Sequence, residues 1–254
     1  MERSGIRECA TPEFTGHADK SIPDSAALHP GYGMFHDECM QEAGMIRTIF
    51  FDYDGVLTTD KSGSQTTFRY LSDVSGIAIP ALQAAFHPHI GALMTGKATH
   101  ADIWPAVCAA LGTPLDIGLL FEAFESTPVN AGMVSLARAL RAHHALGIIT
   151  DNAGDRMQHL RAHQGLDALF DPIVVSADVG SSKQGADIFL HAMSRAHVSA
   201  DECIFIDNSE ANVAIARALG MHAIFHDDEK NDLDALEHAL ARLGARVDGQ
   251  RLRR

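Results

Sequence analysis

The chain lacks the features that mark secreted, membrane-spanning or nucleic-acid-binding proteins. Its four cysteines, none in a CxxC pair, are far too few for a disulfide scaffold. No apolar run approaches the ~20 residues that span a bilayer, and no apolar stretch follows the charges at the N-terminus, so we expect no secretory signal. Lysine and arginine total 20 against 33 acidic residues, a net charge of −13, which does not suit binding to nucleic acid or anionic membranes. We therefore expect a cytoplasmic protein without nucleic-acid or membrane partners.

The composition indicates a folded protein whose first 44 residues differ from the rest. Apolar residues make up 46% of the 254 and charged residues 21%, which is ordinary for globular proteins and excludes wholesale disorder. Residues 1–44 hold three of the nine prolines, five glycines and few large aliphatic side chains. They are predicted to form a loose, dispensable extension. We expect the folded part to begin at Met45, which is itself a candidate start of the natural protein.

From Met45 onward, short apolar runs alternate with helical patterns. Parallel strands buried on both faces read as such continuous apolar runs. The sequence therefore predicts an α/β fold with a Rossmann-like five-stranded parallel sheet and helices on both faces. The predicted strands are 46–51, 146–150, 172–175, 203–206 and 222–225. A wholly helical pattern at 64–130 predicts a small inserted cap domain, which leaves 45–63 and 131–246 as the core domain.

Polar residues follow three of the predicted strands directly. Asp52 and Asp54 follow the first strand, Thr150 closes the second, and Asp207 follows the fourth. Ligands of open parallel sheets bind beyond the carboxyl ends of the strands, so these residues should converge there. Packed carboxylates repel one another, and a bound cation is the simplest compensation. Hard oxygen ligands of this kind favour Mg²⁺.

Four segments in order resemble the motifs of the haloacid dehalogenase-like (HAD) hydrolase superfamily, in its phosphatase and phosphoglucomutase-like branch. The first, FFDYDGVLTTD, holds Asp52 and Asp54. The second is the apolar strand IITDN, which ends at Thr150. The third is a lysine near a helix start, Lys183 in SSKQGADIFLHAM. The fourth is IFIDNSEANVAIARALGM around Asp207. The resemblance covers roughly 46–243 and implies a Rossmann-like core with a helical cap placed after the first motif.

The resemblance also implies catalytic roles for the two aspartates of the first motif. Asp52 would be the nucleophile that forms an aspartyl phosphate. Asp54 would protonate the leaving oxygen and then activate the water that cleaves this intermediate. The chain would be a phosphatase, a phosphoric monoester hydrolase that acts on a small phosphorylated metabolite.

The remaining motif residues would bind metal and phosphate by the same resemblance. Mg²⁺ would be held by the Asp52 carboxylate, the Asp54 backbone carbonyl and Asp207. Thr150 and the backbone of Asp151 would bind the phosphoryl group, and Lys183 would offset its charge. Asn208 and Gln184 stand where the family often has a second aspartate and a proline. Asn208 brings no charge, so the metal affinity is expected to be lower.

Several expectations concern the surroundings of these residues. Ser181 and Ser182 are predicted N-cap residues, which would place Lys183 in the first turn of a helix, where a cation opposes the helix dipole. The predicted cap carries four basic residues that we expect at the surface, and Trp104, which we expect in the core. The four are His87, His89, Lys97 and His100.

Three other functions remain open at this stage. A sugar-phosphate mutase would use the same aspartate pair but transfer phosphate to a second sugar. A haloacid dehalogenase would use the nucleophile, but such enzymes generally lack an acid two residues later and need no metal. A non-catalytic binding protein would have no need of Asp52, Asp54, Thr150, Lys183 and Asp207 together. The sequence does not choose between a monomer and a homodimer.

Overall fold

The computed structural model describes residues 45–247, so the predicted extension at 1–44 lies outside the described residues. Five strands lie among the described elements: β1 (Thr48–Phe51), β2 (Ala145–Thr150), β3 (Ile173–Val175), β4 (Cys203–Asp207) and β5 (His222–Phe225). Eleven α-helices accompany them: α1 (Ser64–Ser75), α2 (Ile79–Phe86), α3 (Ile90–Met94), α4 (His100–Leu111), α5 (Gly118–Glu125), α6 (Ala131–Leu140), α7 (Gly154–Gln164), α8 (Ser176–Val179), α9 (Asp187–Ala196), α10 (Glu210–Ala218) and α11 (Leu233–Arg242). Short π or 3-10 turns cover Tyr53–Leu57, His87–His89, Leu166–Ala168 and Ala200–Glu202.

The strands form one parallel sheet in the order β3-β2-β1-β4-β5, which confirms the predicted fold class. All five predicted strands are present, with ends shifted by two residues at most. The strand order reverses between β1 and β4, because β4 returns to the free edge of β1 after β2 and β3 have been laid down on the other side. Such a switch point is where open α/β sheets bind their ligands.

Successive strand residues point to opposite faces of the sheet, and both faces are covered by other elements. Phe50 and Phe205 pack on one face with residues of α9 and α10, among them Phe189. Ile49 and Phe51 point to the other face, whose cluster takes in residues of α6, α7 and the helices between β1 and β2. Fully buried strands of this kind need apolar residues at every position, which is why they read as continuous apolar runs.

Helices α1–α5, which we call the helical segment (64–125), lie between β1 and β2. The chain leaves for this segment at Thr58 and returns at Val129, and these two residues form an antiparallel β-bridge. Trp104 is buried, as expected, and its Nε1 donates to the Leu115 carbonyl at 2.8 Å. Within residues 45–247, no helix is both long and apolar enough to cross a membrane. A separate cap domain at 64–130 stays a prediction.

The expected position of Lys183 in a helix is wrong. Helix α9 begins at Asp187, and Lys183 lies in a turn that precedes it. The Gly185 N–H donates to the Ser182 carbonyl at 3.0 Å, which closes this turn before the helix starts. Lys183 therefore does not lie at a helix N-terminus, and contacts other than helix geometry hold it in place.

Candidate active site

The switch point brings Asp52 and Asp207 together. Phe51 pairs with Ile206 in the β1–β4 register, and the two aspartates are the next residues of their strands. The Asp52 N–H continues the ladder by donating to the Ile206 carbonyl at 2.8 Å. The Lys183 ammonium lies between the two side chains, with Nζ 2.7 Å from Asp52 Oδ2 and 2.7 Å from Asp207 Oδ2. Three charged groups from distant parts of the sequence thus form one contact.

Little water reaches this contact, and its charges are unbalanced. Asp207 is fully buried and Lys183 is 2% exposed. Burial raises the pKa of the Asp52 carboxyl well above its ordinary range, although Lys183 opposes the rise. Burial also lowers the pKa of Lys183, but Asp52 and Asp207 outweigh this and the net shift is upward. One ammonium faces two carboxylates, so a further cation would stabilise the ionised pair.

Lys183 is held in place through its own backbone. Its N–H donates to Asp151 Oδ1 at 2.9 Å, which ties the turn before α9 to the loop after β2. Burial raises the pKa of Asp151, while Lys183 opposes the rise. The Asp151 side chain therefore positions the lysine. The family resemblance implied a role only for the backbone of Asp151, at the phosphate, so this side-chain contact is a second role.

The Asp54 carboxylate does not join the other two aspartates. Its two oxygens accept from Arg156, at 2.9 Å from Nη1 and 3.1 Å from Nη2. The Asn152 amide donates to Oδ2 as well, at 2.9 Å. Arg156 is buried and lies 5.8 Å from the ring centres of Tyr53 and Phe124. The first motif thus directs its two carboxylates into different surroundings, one facing an ammonium and the other a guanidinium.

Two glycines allow the backbone to approach these groups. Gly55 has φ +79°, and a Cβ there would lie 2.0 Å from Asn208 Nδ2. Gly63 has φ +64°, and a Cβ there would lie 2.4 Å from Arg156 Nη2 and 2.5 Å from Asp54 Oδ1. Both positions need the left-handed conformation and the missing side chain that glycine offers.

The Thr150 hydroxyl is buried without a hydrogen-bond partner. Thr150 ends β2, next to β1, and is 1% exposed. In the described part of the chain, only its Oγ1 and Arg156 Nε are buried side-chain polar atoms that lack a partner. Leaving a buried donor unsatisfied costs about 1–3 kcal/mol. A ligand oxygen at this sheet edge would satisfy the hydroxyl.

The residues present fit a magnesium ion. Mg²⁺ is commonly held by one or two carboxylates together with waters and substrate phosphate oxygens. Asp52 and Asp207 offer two carboxylates at the switch point, and the third ligand group implied by the family resemblance is the backbone carbonyl of Asp54. Among residues 45–247, no three histidine, cysteine, aspartate or glutamate side chains form a metal-binding group. The protein thus offers a few oxygen ligands rather than a complete set of metal ligands.

Sequence reasoning missed Arg156, the contact of Asn152 with Asp54, and the burial of His100. Arg156 belongs to a helix with the polar sequence GDRMQHLRAHQ, which reads as a surface helix. His100, expected at the surface, is buried: its Nδ1 lies 2.8 Å from Asp155 Oδ1, and its ring packs against Phe124. The sequence signal that could have pointed to these contacts is the group of three polar residues, Asn152, Asp155 and Arg156, within five positions at and just after the end of the second motif.

The fold and the site define an α/β protein with a buried aspartate–lysine–aspartate contact at the switch point of a Rossmann-like sheet. The chain belongs to the haloacid dehalogenase-like hydrolase family, whose model matches residues 46–220. It is therefore a hydrolase by family, as the four motifs predicted.

Individual similar proteins carry different activities in their names. Fructose-1-phosphate phosphatase YqaB of Escherichia coli K12 is 23% identical over 181 residues, which are 69% of this chain and 94% of the relative. A HAD family enzyme from Bacteroides thetaiotaomicron, crystallised with magnesium and inorganic phosphate, has a TM-score of 0.60 at 17% identity and covers 82% of this chain and 100% of its own. A 2-haloacid dehalogenase from Pseudomonas syringae has a TM-score of 0.56 at 20% identity, covering 78% and 99%. The two structures support the fold.

Proposed function

We propose that the chain is a Mg²⁺-dependent phosphatase that hydrolyses small phosphate monoesters through an aspartyl phosphate on Asp52. The observation that carries this proposal is the contact of Asp52, Lys183 and Asp207 at the switch point, with both Nζ–Oδ2 distances at 2.7 Å. The names of the Escherichia coli relative and of the magnesium- and phosphate-bound Bacteroides structure support it. The 2-haloacid dehalogenase shares the fold, but dehalogenase chemistry needs neither a metal nor an acid at the position of Asp54.

In the first step, an Asp52 carboxylate oxygen attacks phosphorus and the bond to the ester oxygen breaks. Asp54 gives a proton to that leaving oxygen, so that an alcohol departs. Lys183 stays against Asp52 and offsets the negative charge that gathers there, while the Thr150 hydroxyl donates to a phosphoryl oxygen. In the second step, Asp54 takes a proton from water, which attacks phosphorus and frees Asp52 and inorganic phosphate.

The metal would be held by the Asp52 carboxylate, the Asp54 backbone carbonyl and Asp207. When bound, Mg²⁺ neutralises charge on Asp52 and on the phosphoryl oxygens. Asp207 is held for this task by hydrogen bonds from the Ser209 N–H at 2.7 Å and from Asn212 Nδ2 at 3.2 Å. These contacts fix the carboxylate before any ligand arrives.

Magnesium dependence tests the proposal. The full chain is assayed for phosphate release from an aryl phosphate in EDTA and then with Mg²⁺ restored, and we expect turnover only in the second case. Asp207→Ala should raise the Mg²⁺ requirement steeply, whereas Asp234→Ala, an exposed carboxylate on α11, should not. Full phosphate release in EDTA would contradict the metal assignment. Formation of an isomeric sugar phosphate instead of free phosphate would indicate a mutase.

A further inference from the structure

A cavity of about 290 Å³ opens beside the Asp54 carboxylate, and we call it the apolar cavity. The loop after β2 contributes Asp151 and Asn152 to one end of it, and the helical segment forms the opposite wall. We propose that this cavity receives the leaving group and that the preferred substrate is a phosphate monoester of a small apolar, ring-containing alcohol. This inference rests on the proposed phosphatase function, because it assigns the part of the substrate that departs next to Asp54.

The wall contributed by the helical segment is built mainly from hydrocarbon and aromatic side chains. Phe68 and Phe86 meet edge to face, with ring centres 5.5 Å apart, and Phe124 adds a third ring. Aromatic walls accept further rings in offset or edge-to-face arrangements, with a gain beyond simple burial. The aliphatic members of the wall are Ile90, Leu93, Met94 and Leu120.

The hydroxyl groups and one imidazole nitrogen of the lining each make a hydrogen bond within the protein. The Thr67 hydroxyl donates to the Gly63 carbonyl at 2.8 Å, and the hydroxyls of Ser62 and Ser64 bond to each other at 2.8 Å. His100 Nδ1 is held by Asp155. A sugar leaving group would have to give up water at several hydroxyls against this wall. Each hydroxyl left unsatisfied costs about 1–3 kcal/mol, so the cavity discriminates against polyols.

The two ends of the cavity match the two ends of an apolar phosphate ester. The ester oxygen must lie near Asp54, which is the charged end of the lining, and the carbon skeleton then extends toward the phenyl rings. Small-molecule sites commonly measure ~300–1,000 Å³, so this cavity is at the small end of the range. A leaving group about the size of a benzyl group fits that description, whereas a nucleoside is more polar than this lining favours.

The experiment compares kcat/KM for three substrates with Mg²⁺: benzyl phosphate, fructose 1-phosphate and acetyl phosphate. Benzyl and fructose 1-phosphates both release an alkoxide, so they differ mainly in the polarity of the group entering the cavity. Acetyl phosphate is too small to reach the far wall and reports phosphoryl transfer by itself. We expect benzyl phosphate to exceed fructose 1-phosphate by about tenfold or more, since even a single methylene changes discrimination ~10–200-fold.

A pair of surface variants links the preference to the cavity. Ile90 lines the cavity yet is 43% exposed, so Ile90→Asn should fold. Val74 on α1 is 48% exposed and outside the lining, so Val74→Asn is the matched control. We expect the ratio of benzyl phosphate to acetyl phosphate turnover to fall about fivefold in Ile90→Asn and to stay unchanged in Val74→Asn.

The outcomes separate this inference from the function on which it rests. If acetyl phosphate is hydrolysed but fructose 1-phosphate is turned over as well as benzyl phosphate, the apolar assignment is overturned and the phosphatase proposal stands. If none of the three substrates is hydrolysed, the phosphatase proposal fails, and calorimetric binding of benzylphosphonate then tests the cavity. Weaker binding in Ile90→Asn than in Val74→Asn would support the cavity as an apolar site, and equal binding would overturn it.

Discussion

The carboxyl edge of the sheet and the wall of the apolar cavity face each other with opposite chemistry. At the sheet edge, charged groups meet at 2.7 Å, and two strand ends and a turn that are far apart in the sequence supply them. The residues that the helical segment adds to the cavity wall include no aspartate, glutamate, lysine or arginine, and they come from one continuous helical stretch. The difference suggests a division of labour, in which sheet topology sets the reaction and the helical segment sets the leaving group. Changes at the edge should then affect every substrate, and changes in the wall should alter the ranking of substrates.

Asp52→Asn should have the largest effect and should affect all substrates alike. An amide is a very poor nucleophile, so turnover should fall by more than about 10⁴-fold, with no trapped phosphoenzyme. The variant should still fold, because Lys183 keeps its 2.7 Å contact with Asp207. Rapid acid quench followed by mass measurement of the protein checks for the phosphoenzyme. Substantial remaining activity would rule out the covalent mechanism.

Asp54→Asn should slow turnover by ~10²–10⁴-fold, and unequally between substrates. Benzyl phosphate needs a proton on its leaving oxygen and should lose more than an aryl phosphate, which departs without one. This variant also leaves the buried Arg156 without its carboxylate, so a lower melting temperature is expected. The double variant Asp54→Asn/Arg156→Met removes that unpaired charge and should recover stability without recovering rate. An equal loss on both esters would contradict the role of Asp54 as general acid.

Thr150→Val should separate catalysis from stability. The hydroxyl has no partner in the protein, so replacing it with a methyl group should leave the melting temperature unchanged or raise it slightly. Turnover should fall roughly 10- to 100-fold, which corresponds to one hydrogen bond to a charged group. Thr150→Ser, which keeps the hydroxyl, is the control and should retain most of the rate. A stability loss without a rate loss would assign Thr150 to packing instead.

Asn208→Asp should have the smallest effect on rate. It adds a carboxylate beside the proposed metal ligands, so the Mg²⁺ concentration for half-maximal rate should fall about three- to tenfold, with kcat nearly unchanged. Asn208 Nδ2 lies against Gly55, and the aspartate has nearly the same shape, so packing should persist. A titration of activity with Mg²⁺ measures the change. A higher Mg²⁺ requirement would indicate that the added charge acts on the phosphate rather than on the metal.

The sequence predicts the sheet and its acidic edge because both depend on local signals. Buried parallel strands must be apolar at every position, and the strand ends are marked by Asp52, Thr150 and Asp207. Parallel pairing then aligns those ends whatever the intervening chain does. The convergence of these distant residues can therefore be predicted from the sequence alone.

Contacts that depend on tertiary packing cannot be predicted from the sequence in this way. Arg156 lies on a helix of polar composition, and only the folded chain shows that it faces inward toward Asp54. His100 is buried because Asp155, 55 residues later, meets its ring nitrogen. The helix expected at Lys183 starts four residues later because the chain first makes a turn that is tied to Asp151. The apolar cavity depends on side chains of α1 to α5 meeting across the segment, which periodicity alone does not specify.

The central place of β1 has a consequence for synthesis on the ribosome. This strand is made first, yet its partner β4 lies about 155 residues further along the chain. At ~5–20 residues per second, Asp207 follows Asp52 from the ribosome by about 10–30 s. Through that interval, one edge of an Ile-Phe-Phe strand is unpaired, and such an edge invites association with other nascent chains. The arrangement that unites Asp52 with its distant partner therefore also requires β1 to wait longer for a neighbour than any other pairing in the sheet does.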